Sequence, residues 1–138
     1  MSDTIRQVDY YYIEVPDKVG EGAQILSALK QDGVNMLAYC GFPIAGNKAQ
    51  IDIVPEDPEA FRKLATRLGW KLSDRKRAIL VQGDDRVGAV ADVLGKLAAQ
   101  GISVVGSQAG SAGSGRWVMT LWVKPGDFRR ASEVLGAS

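Results

Sequence analysis

The 138-residue chain contains no histidine and only one cysteine. Without histidine the usual general base, proton shuttle and commonest metal ligand are missing. Ser-His-Asp and Cys-His nucleophile pairs cannot be assembled within one chain. Histidine-based zinc sites are excluded too, and Cys40 alone cannot replace them. No catalytic residue, metal or cofactor is assigned, although carboxylates, lysines and tyrosines leave some acid–base chemistry open. One cysteine cannot close an intrachain disulfide, so a reducing, cytoplasmic setting is expected. Long apolar runs are also missing: none approaches the ~18–20 residues of a membrane span. The polar start, Met-Ser-Asp-Thr-Ile-Arg-Gln, lacks the apolar core of a signal peptide. Charge of one sign is not in excess, with 17 basic and 16 acidic residues and a net charge of +1. Neither a nucleic acid nor a membrane surface is therefore expected as a partner. Tyr10, Tyr11 and Tyr12 lack the second aromatic strand of an RNA-binding sheet. The Gly/Ser-rich stretch 106–115 ends in Gly115-Arg116-Trp117, not in the Gly-Lys-Ser/Thr of a phosphate loop.

What is present is a sentence written twice. Residues 17–34 recur as residues 85–102 at a constant offset of 68. Asp17, Val19, Gly20, Ala23, Leu26, Leu29 and Gly33 return as identical residues. Such self-similarity marks the duplication of one supersecondary unit. The best-preserved part is a strand-to-helix loop.

Each copy reads as β-α-β-β-α-β. In the first, residues 8–15 are β-branched and aromatic and form a strand. Asp17 or Gly20 lies near a helix start, and Val19, Ala23, Leu26 and Leu29 make a helical stripe that Gly33 ends. Strands follow at 34–40 and 48–54, the second alternating Ala49, Ile51 and Ile53 against Lys48, Gln50 and Asp52. Asp57 and Pro58 cap a helix carrying Phe61, Leu64, Ala65 and Leu68. A short last strand is expected at 70–73. In the second copy, strands are expected at 78–82, 102–108 and 116–123, with a loop at 109–115. Its first helix carries Val87, Val90, Ala91, Leu94, Leu97 and Ala98, and its second Phe128, Ala131 and Leu135. The fold class is α+β: two ferredoxin-like units, antiparallel sheets with helices on one face, the second lacking its last strand. The expected domains are 1–74 and 75–138.

A hydrophobic strand, then Pro-Asp-Lys-Val-Gly or Gly-Asp-Asp-Arg-Val-Gly, a helix, and Gly-Val-Asn or Gly-Ile-Ser opening the next strand, resembles the ACT domain. The resemblance covers both copies and implies a free-standing tandem ACT protein with no attached enzyme. It further implies a regulatory module that binds an amino acid or similar metabolite. In such domains the ligand commonly sits between two copies, at the loop after the first strand and the start of the second strand. The matching positions are Asp17, Lys18, Val19, Gly20, Asn35 and Met36, and in the second copy Asp85, Arg86, Val87, Gly88, Ser103 and Val104. Val19 and Val87 stand where the family often has proline. Ser103 stands where the first copy has Asn35, so the two sites need not be equal.

The chemistry is independent of the resemblance. A helix N-terminus offers unpaired N–H groups and a partial positive charge to a carboxylate. A glycine there lets the backbone approach the ligand, and a carboxylate accepts from an ammonium group. Plain helix capping selects the same residue types, so that alternative stays open. The rival function is a ligand-free oligomerisation or partner-docking module. The missing last strand should leave a sheet edge unpaired, so a homodimer is expected in either case.

Overall fold

The computed structural model describes residues 3–138. The elements in chain order are β1 (Thr4–Pro16), α1 (Glu21–Gln31), β2 (Met36–Ile44), β3 (Lys48–Pro55), α2 (Pro58–Leu68), β4 (Lys76–Asp84), α3 (Ala89–Ala99), β5 (Val104–Gly113), β6 (Arg116–Val123) and α4 (Phe128–Leu135). They form two compact units, one of residues 9–76 and the other of 77–138 together with residues 3–8.

In the 9–76 unit the strand order is β2-β3-β1. Both pairings are antiparallel, with Ile13 opposite Ile51 and Tyr39 opposite Ile53. Period-two alternation sends Tyr11, Ile13, Ile51 and Ile53 to one face. There they meet Ile25 and Leu29 of α1 and Phe61 and Leu64 of α2. Asp57 caps α2 as its residue type dictates, accepting from the N–H groups of Glu59 and Ala60 at 3.1 and 3.2 Å. Gly69 closes that helix with φ 71°.

The second unit repeats the plan. Its order is β1-β4-β6-β5, with β1 represented by its first residues. Ile79, Val81, Met119 and Leu121 face Val93 and Leu97 of α3 and Ala131 and Leu135 of α4. Fold class and repeat are as the sequence predicts, but the edge beside β4 is not open. The first residues of β1 lie along it. They also bond the last residue: the Gln7 N–H donates to the Ser138 carbonyl at 3.0 Å, and the Ser138 N–H donates to the Ile5 carbonyl at 3.1 Å. The missing strand of the second copy is thus replaced in sequence-distant fashion, and the expectation of an unpaired edge there is overturned.

Three local expectations also change. Residues 70–73 form no strand; Ser73 exchanges bonds with Tyr12, its N–H reaching the Tyr12 carbonyl and its Oγ accepting the Tyr12 N–H, both at 3.0 Å. The expected loop 109–115 is largely strand, because β5 stays paired with β6 as far as Gly113 opposite Arg116. The turn shrinks to Gly113, Ser114 and Gly115, all with positive φ. The apolar stripes of α1 and α3 are displaced as well. The buried residues are Ile25 and Leu29, and Ala89, Val93 and Leu97, whereas Val19 and Val87 are fully exposed ahead of their helices.

Candidate functional site

Each β-to-α loop ends in a glycine that starts the helix in left-handed backbone: Gly20 with φ 92° and Gly88 with φ 84°. Other residues reach this region only with strain. The glycines therefore set the direction in which each helix start opens. The loops are held from behind by their hairpin neighbours: the Asp17 N–H donates to the Asn47 carbonyl at 2.9 Å, and the Asp85 N–H to the Gly115 carbonyl at 2.8 Å. No side chain caps α1 or α3. Among the described residues the Asp17 and Asp85 carboxylates make no hydrogen bond or ion pair. Helix capping does not account for them. Val19 and Val87 project into solvent at the loop tips.

The strand starts are placed elsewhere. In the second copy Asp84 and Gly113 both pair with Arg116, while Val104 pairs with Val123, seven residues further along β6. At ~3.4 Å per residue that separates Val104 from the loop by roughly 24 Å. The first copy is laid out alike, with Pro16 and Ile44 opposite Lys48 and Met36 opposite Pro55. Within one unit, Asp17–Gly20 and Asn35–Met36 lie at opposite ends, as do Asp85–Gly88 and Ser103–Val104. Asn35 donates through Nδ2 to Glu56 Oε2 at 3.4 Å. Met36 and Val104 pack against the two cores, and Ser103 is exposed.

The second loop borders a cavity of about 310 Å³, lined by Asp85, Arg86 and Gly88, by the start of α3, by Ala109, Gly110 and Ser111 of β5, and by Trp117. Its size is near the lower end of small-molecule pockets, ~300 Å³. Its charged walls are Asp85 and Arg86, and Arg86 is the one with bonded partners. Nη1 donates to Asp3 Oδ1 and Nη2 to Asp3 Oδ2, both at 3.2 Å, and Nη1 also reaches the Asp84 carbonyl at 3.2 Å. Nη2 further meets Asp92 at 3.4 Å, and the guanidinium lies 5.8 Å from the Trp117 ring centre. Asp3 Oδ1 also accepts the Trp117 indole N–H at 3.1 Å. Burial opposes the charge on Asp3, but the bonds from Arg86 and Trp117, with the Arg86 and Lys96 charges, outweigh it and hold the carboxyl below its ordinary 3.8. Sequence reasoning missed Asp3 and Trp117. Trp117 had a signal, since the aligned position in the first copy is Ala49. Asp3 had none, being brought in from the far end of the chain.

Residues 77–137 match the ACT domain family. That stretch of the chain is similar to the ACT domain. Three solved structures share the fold of nearly the whole chain. Protein BT0572 from Bacteroides thetaiotaomicron aligns with a TM-score of 0.81 at 19% identity, over 96% of this chain and 88% of that one. The regulatory subunit of aspartate kinase from Thermus thermophilus, in ligand-free form, aligns at 0.62 and 13% identity, over 99% and 95%. The aspartokinase alpha and beta subunits align at 0.61 and 17% identity, over 98% and 95%. At these identities the likeness is one of fold. No curated protein gives a sequence match. Among the described residues, no group of His, Cys, Asp and Glu could hold a metal ion, and no helix is long and apolar enough to cross a membrane.

Away from the two β-to-α loops, the face of β1 and β3 turned away from the helices carries Asp52, whose carboxyl burial pushes up, although Gln50 donates to it at 2.8 Å and Lys76 attracts its charge. Burial, with the Asp52 charge, raises the Cys40 thiol as well, so this half-exposed cysteine is not an activated thiolate. Tyr10 is pushed up to about 12 by burial and by the Asp52 and Tyr12 charges.

Proposed function

We propose that this is a non-catalytic, cytoplasmic regulatory protein whose ACT loops bind an amino acid. The observation that carries the reading is the pair of loops itself. Both copies keep an aspartate that caps nothing and a valine that packs on nothing, beside a left-handed glycine at an uncapped helix start. Stability alone gives no reason to keep that combination twice. Ligand chemistry does: helix N–H groups for a carboxylate, aspartate for an ammonium, valine for an apolar side chain. The regulatory subunit among the structures of like fold is in keeping with this.

Because the strand starts lie far from the loops of their own unit, Asn35, Met36, Ser103 and Val104 join the reading through a second chain. We propose a homodimer for that reason. On the edge strand β2 the aromatic side chains of Tyr39, on one face, and Phe42, on the other, are 42% and 39% exposed and favour association. The same side chains support the rival, a docking module without ligand.

Thermal melts against the twenty amino acids at millimolar concentration decide between them. A ligand at about 100 times its dissociation constant adds ~2.7 kcal/mol of stability. The expected result is a selective upward shift, lost in Asp17→Ala or Asp85→Ala with the unliganded melting temperature unchanged. A flat panel overturns amino-acid binding and leaves the docking module.

A further inference from the structure

The two ACT loops carry cations of different fate. Lys18 makes no ion pair among the described residues. Arg86, its counterpart, is gripped by Asp3 through both carboxylate oxygens. The fork-on-carboxylate geometry is the one a free amino acid would present to the same guanidinium. Asp3 is held deeply, with its side chain only 12% exposed against 26% for Arg86. The strand beneath makes room for it. A Cβ on Gly83 would stand 3.1 Å from the Asp3 Cα and would overlap its carboxylate. The indole of Trp117 adds a third donor to the same carboxylate. Arg86 and Trp117 are also walls of the cavity beside the second loop.

We propose that Asp3 is a tethered carboxylate latch on the second ACT loop, occupying Arg86 so that a free amino acid gains this guanidinium only when the opening segment leaves. The idea rests on the amino-acid reading above and adds its regulation. The first loop has no such competitor and is the site filled first. The second loop binds more weakly, in proportion to the fraction of chains in which Asp3 is released. A charge-assisted pair of this burial implies a reduction of about tenfold.

The test is calorimetric titration of the whole chain with each of the twenty amino acids. Asp17→Ala silences the first loop, and Asp3→Ala is then added on that background. The expected result is binding at least threefold tighter in the double variant, near tenfold if the latch has its full strength, or binding that exists only in the double variant. An affinity changed by less than threefold overturns the latch while amino-acid binding stands. So does wild-type binding that vanishes in Asp17→Ala and does not return with Asp3→Ala. If wild type and variants all bind nothing, the amino-acid reading fails and the latch falls with it. Should Asp3→Ala unfold by circular dichroism, Asp3→Asn carries the same test. It keeps an acceptor for Trp117 and removes the charge that competes for Arg86.

Discussion

Gly88, just ahead of α3, and Gly95, inside it, should respond oppositely to the same substitution. Gly88 has φ 84° and ψ 10°, and a Cβ there meets nothing within 4 Å. With no clash to relieve, the whole effect of Gly88→Ala is left-handed backbone, ~1–2 kcal/mol of destabilisation. Gly95 lies inside α3, and its Cβ also meets nothing within 4 Å. There alanine only restricts the unfolded chain and improves helix propensity, stabilising by ~0.8–1 kcal/mol. The two variants should therefore differ by roughly 2–3 kcal/mol. For a chain of this length 1 kcal/mol moves the melting temperature by about 4 °C. Gly88→Ala should melt lower than wild type and Gly95→Ala higher, some 8–12 °C apart. Urea titration gives the same ordering in midpoint with unchanged slope. Gly88→Asn should fall between Gly88→Ala and wild type, since asparagine tolerates this region better. Shifts of the same sign for the two alanines would refute the reasoning. A loss above about 4 kcal/mol at Gly88 would do so too, because open space around the Cβ leaves nothing else to lose.

Leu97→Ala removes a fully buried side chain of the second core and should lose about 3–5 kcal/mol in urea titration, while Leu68→Ala, 47% exposed, should lose far less. Asp52 and Asp3 should give opposite pH signatures in melts from pH 2 to 7. Asp52 has a raised carboxyl, so its contribution is present below about pH 4 and lost as pH rises through its folded value. Asp52→Asn should then gain on wild type toward neutrality. Asp3 has a lowered carboxyl, so its contribution is present above 3.8 and lost as pH falls through its folded value. Asp3→Asn should be the less stable protein at neutral pH and approach wild type in acid.

Where local chemistry decides structure, the sequence is readable. Asp57-Pro58 and Gly69 delimit α2 as capping rules require, and Ile51 and Ile53 turn inward by simple alternation. The duplicated loop is visible as a repeat of residue identities. Where tertiary pairing decides, local chemistry misleads. The Gly/Ser/Ala run from Ala109 looks like a loop by propensity, yet pairing with the Trp117–Val123 stretch draws it into β5. Val19 and Val87 fit a helical period and still lie outside the core, because the glycine that follows each one turns the chain before the helix begins. Asp3 was beyond reach, since nothing near it in sequence names Gly83, Arg86 or Trp117 as neighbours.

The latch follows from how the second copy is completed. A β-α-β-β-α-β unit needs a strand beside its first one, and in the second unit the first residues of β1 take that place. β1, at 13 residues, is long enough to serve twice. Its later residues pair with β3, and its first residues lie beside β4. Antiparallel completion of that kind brings the residue just ahead of β1 to the end of β4, where the ACT loop begins. Asp3 arrives there next to Gly83. In the first copy the end of β1 has other company: Lys71 and Leu72 share a cavity wall with Val15 and Pro16. The second loop is therefore met by a carboxylate that β1 brings in. Two copies of one sequence motif become unequal through strand completion and through Trp117 standing where the first copy has Ala49, with the loop residues themselves almost unchanged.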